Sequence, residues 1–372
     1  MSEITQNSKL ATRKEVVLIG KKIKVLIIDD SALVRELLKR ILSKDQEIEV
    51  VGSTVDPIYA IKKLKEFKPD VITLDLEMPR MDGLTFLRKL MAVIPTPVII
   101  ISSRAEKGSE ISLKALELGA IDVVLKPSAM LQSSLFEIEQ EIITKVKSAA
   151  KVNMTELRKQ ARKKIASRNE ATPATIQLLQ SNTDKIIAIG ASTGGTVAIR
   201  SILEQLPANL PGILIVLHMP VGFTSSYADS LNASCRLTVK EAVNGELLRK
   251  GFAYIAPGGK HILLKKSHQK GYFISLEETP PVNRHRPSVD VLFSSVTREA
   301  KNNCIGVILT GMGNDGANGL KEMHDNGAWT IAQDEKTSIV HGMPKQAIKL
   351  GAVDEVIPLQ EMPNAIVQAL QK

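Results

Sequence analysis

The chain of 372 residues is 44% hydrophobic and 24% charged, a globular composition long enough for two domains with their own cores. No apolar run approaches the ~18 residues of a membrane helix. Residues 1–22 lack a signal-peptide core, and the two cysteines, Cys235 and Cys304, offer neither metal spacing nor a disulfide framework. A cytoplasmic protein without membrane insertion is expected, with both thiols as inert core residues. The net charge of +9 does not point to nucleic acid: residues 144–182 hold nine Lys or Arg against two Glu, so +7 of it, and aromatics at 3% give no stacking platform.

Residues 1–22 read as a flexible polar tail. From 23 to 143, Val- and Ile-rich runs at Lys24–Ile28, Val50–Ser53, Val71–Asp75, Val98–Ser102 and Asp122–Leu125 alternate with helical patterns such as SALVRELLKRILSK and DPIYAIKKLKEF. That alternation predicts a parallel sheet with right-handed crossovers and a ligand site beyond the carboxyl ends of its strands. Asp29, Asp30, Asp75, Ser102 and Lys126 all fall at those ends. Three carboxylates suit a magnesium ion, a hard cation that takes oxygen ligands. Asp75, which ends a different strand from the adjacent pair, is the better phosphoryl acceptor. Lys126 could pair with a phosphoryl oxygen and Ser102 could donate to another. The plainer alternative, strand-end acids capping the next helices, accounts for one Asp but not for the whole set.

Residues 144–182 read as a basic linker. Its start could be an exposed helix continuing from Glu137, and Pro173 is a helix stop. From 183 to 372 strand-like runs return: KIIAIG, GILIVLH, FAYIA, HILLK, YFISL, CIGVILT and WTIAQ. They predict a second, mostly parallel α/β domain with a hairpin-like insertion around Tyr254–Leu276. The first run leads into Gly190-Ala191-Ser192-Thr193-Gly194, a G-x-S-x-G turn between strand and helix that can present a serine hydroxyl. Ser192 as a mere helix N-cap is the bland alternative. Ile213–Leu217 ends at His218, and Cys304–Thr310 runs into a glycine-rich loop holding Asp315. Nucleophile, base and orienting acid can therefore converge at one sheet edge. The chain order Ser, His, Asp differs from α/β-hydrolases, chymotrypsin and subtilisin. His261, His268, His285, His324 and His341 read as structural or exposed, and Arg284–Arg286 as a solvated loop that could touch an acidic substrate. A competing reading takes Gly311-x-Gly313-x-x-Gly316 with Asp334 as a dinucleotide fingerprint, but Asp315 would then face the pyrophosphate.

Residues 23–143, with DD, DLEMPRMDG, the serine ending the fourth strand and KP after the fifth, resemble a response-regulator receiver domain. The resemblance implies Asp75 as the phosphorylated residue, Asp29 and Asp30 as magnesium ligands with it, Ser102 and Lys126 as switch residues, and a cis Lys126–Pro127 bond. Residues 184–372 resemble the catalytic domain of the CheB family of chemotaxis protein-glutamate methylesterases in IGASTGGTVAIR, LHMP, YIAPGG, HRPSVDVLF, ILTGMGNDGANGL and GMP. Together these imply two doubly wound domains, flavodoxin-like then Rossmann-like. They imply Ser192, His218 and Asp315 as a catalytic triad and an oxyanion hole from the Thr193 and Met312 backbone, with no cofactor in the esterase domain. The implied substrates are methylated chemoreceptor cytoplasmic helices, with glutamine deamidation as a second activity. The implied phosphodonor is a chemotaxis histidine kinase, and the protein is expected to be a monomer. Departures at Asn314 and His341 leave the triad untouched. The alternatives are a DNA-binding or a dinucleotide-binding output domain behind the receiver.

Overall fold

The computed structural model describes residues 21–78, 82–102, 106–126, 135–152, 154, 185–269 and 271–372. The first unit runs β1 (Ile23–Ile28), α1 (Ala32–Leu42), β2 (Ile48–Thr54), α2 (Pro57–Phe67), β3 (Val71–Leu74), α3 (Gly83–Val93), β4 (Val98–Ser102), α4 (Glu106–Glu117), β5 (Asp122–Leu125) and α5 (Leu135–Ala149). All neighbours in the sheet, ordered β2-β1-β3-β4-β5, are parallel. β3, β4 and β5 are buried along their whole length, as strands covered by helices on both faces must be. The helices start where the sequence supplies caps: Ser31 accepts from Val34 N, Asp56 from Ile58 N and Tyr59 N ahead of Pro57, and Asp82 from Leu84 N. Strand order reverses between β1 and β3, and Asp29 and Asp75 flank the crevice that this reversal opens.

α5 corrects one expectation. Its continuation past Ile143 is buried, not exposed: Ile142, Val146 and Ala149 lie at helical spacing in a core with Val25, Ile27 and Val124, and Lys145 is buried beside them. The apolar stripe carries the helix to Ala149, so the first residues of the basic stretch belong to packed structure. Pro173 and the rest of the linker beyond residue 154 lie outside the described residues, as do residues 1–20 of the tail.

The second unit runs β6 (Ile186–Ala191), α6 (Gly195–Leu203), β7 (Ile213–Leu217), α7 (Thr224–Asn232), β8 (Thr238–Glu241), β9 (Phe252–Ile255), β10 (His261–Ser267), β11 (Gly271–Glu277), α8 (Val289–Ala300), β12 (Cys304–Ile308), α9 (Ala317–Asp325), β13 (Trp329–Gln333), α10 (Met343–Lys349), β14 (Glu355–Ile357) and α11 (Met362–Ala369). Seven parallel strands form one sheet ordered β14-β13-β12-β6-β7-β9-β8, and β10 and β11 form a separate antiparallel hairpin. Tyr254 belongs to β9 in the main sheet, so the insertion is narrower than the sequence suggests. β8 and β14 escape a pattern reading because they are short, part-exposed edge strands of mixed polarity. The central strands β12, β6 and β7 lie side by side, and the order reverses between β6 and β12.

The two units share a buried contact. Met312, Ile339 and Val340 of the second pack into the core that holds α5 and β5 of the first, and α4 packs on α6 and α7. An Arg200–Glu117 ion pair of 3.1 Å lies at the rim.

Candidate active site

At the first crevice, ligand atoms of Asp29, Asp30 and Asp75 lie within 4.8 Å of one another. Lys126 Nζ reaches Asp75 Oδ2 at 2.7 Å and Asp29 Oδ2 at 3.3 Å. Burial, reinforced by the neighbouring Asp75 charge, raises the Asp29 pKa even though Lys126 opposes it. Burial works against the Lys126 charge, but Asp75 and Asp29 hold its pKa above the usual lysine range. Asp29 Oδ2 is buried and has no partner among the described residues beyond that 3.3 Å ion pair with Lys126. The pocket is thus rich in carboxylate oxygen and short of positive charge, which fits a divalent cation. Ser102 accepts from Ser112 Oγ at 2.9 Å. All five residues expected at the strand ends are therefore at one sheet edge. The proposed cis Lys126–Pro127 bond lies outside the described residues.

At the second crevice, Ser192 follows β6, His218 follows β7 and Asp315 lies in the loop after β12. Ser192 does not cap α6: the cap position is Gly194 at φ 78°, with no side-chain bond. A turn at positive φ favours glycine, and here it leaves the Ser192 hydroxyl out of the helix. The serine backbone is pinned instead, its N–H donating to Thr310 O at 3.0 Å and its carbonyl accepting from Gly195 N at 2.7 Å. A Cβ on Gly311 would come within 2.8 Å of Ser192 Cβ, so only glycine lets these two loops approach.

His218 Nε2 lies 2.8 Å from Asp315 Oδ2. Asp315 also accepts from Asn283 Nδ2, Ser288 Oγ and Val289 N, each at 2.7 Å, and from Asp290 N at 3.3 Å. Burial favours the neutral acid, but the His218 bond and the donors from Asn283 and Ser288 hold the Asp315 pKa well below the carboxylate range. Its carboxylate also sits at the N-terminus of α8, where the helix dipole favours negative charge. With Nε2 engaged by Asp315, the other ring nitrogen, Nδ1, is buried and has no hydrogen-bond partner among the described residues.

His285 is the residue that the sequence reading undervalued. Its ring stacks on His218 with centroids 3.6 Å apart and planes at 11°. It is delivered by a tight turn in which Asn283 and Arg284 both have positive φ and residues 282 and 285 exchange backbone hydrogen bonds. Such backbone is strained for non-glycine residues and gathers at functional sites. Burial and the adjacent His218 push the His285 pKa well below that of an ordinary histidine. The remaining histidines with described partners are scaffolding: His261 accepts from Ser288 N, and His324 meets Asp354. Asp334 closes a local turn with Thr337, and the glycine-rich loop carries the Asp315 carboxylate, bound to His218 and to the N-terminus of α8, a negative charge ill-suited to a pyrophosphate cradle. Burial pushes the thiols of Cys235 and Cys304 up to about 11 and about 12, consistent with inert cysteines.

The first unit covers this crevice. Ser192 and His218 are each only 9% exposed. Asp122 of β5 accepts a hydrogen bond of 2.9 Å from the Thr193 hydroxyl, and the Ser148 hydroxyl of α5 meets the Met312 sulfur.

A strand-end carboxylate pocket, in a unit docked through Asp122 of β5 onto the loop beside Ser192, together with a second crevice that gathers Ser192, His218 and Asp315, defines a two-domain response-regulator hydrolase. The comparisons agree: residues 25–135 match the response regulator receiver domain family and residues 187–366 the CheB methylesterase family. The protein-glutamate methylesterase/protein-glutamine glutaminase of Nitrosomonas europaea is 50% identical over 353 residues, covering 94% of this chain and 97% of that relative. The protein of the same name from Salmonella typhi is 50% identical over 344 residues, covering 92% and 95%. The Thermotoga maritima CheB methylesterase catalytic domain is similar at 41% identity and a TM-score of 0.49, covering 50% of this chain and 98% of that domain. The chain belongs to the CheB family of protein-glutamate methylesterases.

Proposed function

We propose that this chain hydrolyses γ-glutamyl methyl esters on the cytoplasmic helices of chemoreceptors, deamidates glutamines there as a second activity, and is switched on by phosphorylation of Asp75. The observation that carries the reading is the Ser192, His218 and Asp315 set at the ends of three adjacent parallel strands, with His218 held by Asp315 at 2.8 Å. His218 Nδ1 takes the Ser192 proton as Oγ attacks the ester carbonyl. Backbone N–H groups of Thr193 and Met312 receive the oxyanion. The peptide that carries the Thr193 N–H is oriented for this through the Ser192 carbonyl, which accepts from Gly195 N at 2.7 Å. The imidazolium returns its proton to the methoxy group, and methanol leaves. Water, deprotonated by the same nitrogen, then attacks the acyl-serine and releases glutamate.

In the receiver, Asp29, Asp30 and Asp75 would hold magnesium, which when bound neutralises charge on the transferring phosphoryl group. An Asp75 oxygen attacks the phosphorus of the phosphohistidine on the donor, a histidine kinase of the same signalling system; the P–N bond breaks and the imidazole leaves, while Lys126 and Ser102 pair with phosphoryl oxygens. No helix among the described residues is long and apolar enough to cross a membrane, and the protein acts in the cytoplasm as a monomer. Ser192→Ala tests the reading directly. Folded variant protein should release no methanol from methylated receptor membranes, and near-normal release would end the serine-hydrolase assignment.

A further inference from the structure

The residue after the nucleophile has a hydroxyl as well as an amide. Thr193 is 2% exposed, and its Oγ1 donates 2.9 Å to Asp122 Oδ2 of the receiver, a buried bond between residues 71 apart in the chain. Asp122 is held for that contact. Its Oδ1 accepts from Val123 N at 2.8 Å and from Lys145 Nζ at 2.9 Å. Lys145 is itself anchored by Val123 O at 2.7 Å and Glu141 at 3.0 Å. Burial disfavours the lysine charge, but Asp122 and Glu141 keep its pKa raised. One carboxylate oxygen is therefore fixed by the receiver, and the other is presented to the nucleophile loop.

A hydroxyl has one proton to give. While Thr193 donates to Asp122 it cannot donate to an oxygen of anything else in the crevice. The group it binds is a side-chain carboxylate, the same chemical group that hydrolysis of a γ-glutamyl ester produces. A carboxylate accepts more strongly than an ester oxygen, so the internal ligand outcompetes the substrate while the domains are docked.

We propose that the Thr193 hydroxyl is a substrate-holding donor, and that Asp122 occupies it at rest as a built-in mimic of the glutamate product. The receiver thereby competes for a specific hydrogen bond in addition to covering the crevice. This rests on the esterase reading above. Undocking of the receiver removes the carboxylate and frees the donor in the same movement.

The test uses the full chain, with and without a small phosphodonor and magnesium, measuring methanol release against substrate concentration. Asp122→Asn weakens the internal contact at nearly constant shape. It should raise the unphosphorylated kcat/KM several-fold and leave the phosphodonor-activated rate unchanged. Glu117→Gln cuts the rim pair with Arg200, which leaves Thr193 untouched, and should change the basal rate less than twofold. Thr193→Val removes the hydroxyl and should raise KM of the activated protein tenfold or more, while Thr193→Ser should restore it. Circular dichroism establishes that each variant is folded. Equal basal gains from Asp122→Asn and Glu117→Gln would overturn the proposal, because any loosening of the docked face would then suffice. An unchanged KM in activated Thr193→Val would also overturn it. If activated wild-type protein releases no methanol, it is the esterase reading that fails, and that outcome is distinct from both.

Discussion

Asp315→Asn is the most informative single substitution in the catalytic domain. The two carboxylate oxygens are shared among five donors: His218 Nε2 and Val289 N on Oδ2, and Asn283 Nδ2, Ser288 Oγ and Asp290 N on Oδ1. An amide supplies only one acceptor oxygen, so whichever way Asn is placed, its NH2 group faces at least two N–H or O–H donors. Hydrogen bonds to a charged acceptor are worth about 1.5–3 kcal/mol each, so a loss of stability on the order of 3 kcal/mol or more is expected. If the NH2 faces His218, the ring must give up its Nε2 proton and carry it on Nδ1, the atom required as base. The analogous change in a serine protease triad lowers kcat by about 10⁴, and a loss of roughly 10³–10⁴ is expected here, with KM changed less than tenfold. Methanol release under saturating phosphodonor gives kcat, and a thermal melt gives the stability change. A folded variant with kcat within tenfold of wild type would refute the role assigned to Asp315.

Two further outcomes follow from the same geometry. His285 is half-buried, and desolvation and the adjacent His218 lower its pKa, so the unfolded chain binds a proton that the native state refuses. Native stability should therefore fall as pH drops from about 6.5 toward the folded-state pKa, by at most about 1.4 kcal/mol per pH unit, and His285→Gln should flatten that slope in acid denaturation. Gly311→Ala places a methyl group 2.3 Å from Met343 Sδ and 2.8 Å from Ser192 Cβ, and should cut turnover at least tenfold through displacement of the nucleophile loop, measurable as methanol release.

The strand-end residues were legible because each closes a Val- or Ile-rich run, and in a parallel sheet such ends share one edge. That logic placed Asp29, Asp75, Ser102 and Lys126 together, and likewise Ser192, His218 and Asp315. His285 was not legible in this way. It sits in an irregular turn set by the positive φ of Asn283 and Arg284, and no hydrophobic period marks such a turn. The Thr193–Asp122 bond was equally hidden, since it joins two domains and depends on how they dock. The end of α5 was missed for a different reason: Lys145 and Lys147 give the segment a solvated look, while the stripe of Ile142, Val146 and Ala149 that buries it is sparse. Short edge strands such as β8 and β14 carry too few residues for any alternation to register.

The central claim is that phosphorylation at Asp75 opens a serine esterase. The direct measurement is methanol release from methylated receptor membranes by wild-type and Asp75→Asn protein, each with and without magnesium and a small phosphodonor. The account predicts a low basal rate in both proteins and a large rise in wild type alone, a rise abolished by EDTA. Equal stimulation of Asp75→Asn, or a wild-type rate indifferent to the phosphodonor, would contradict it.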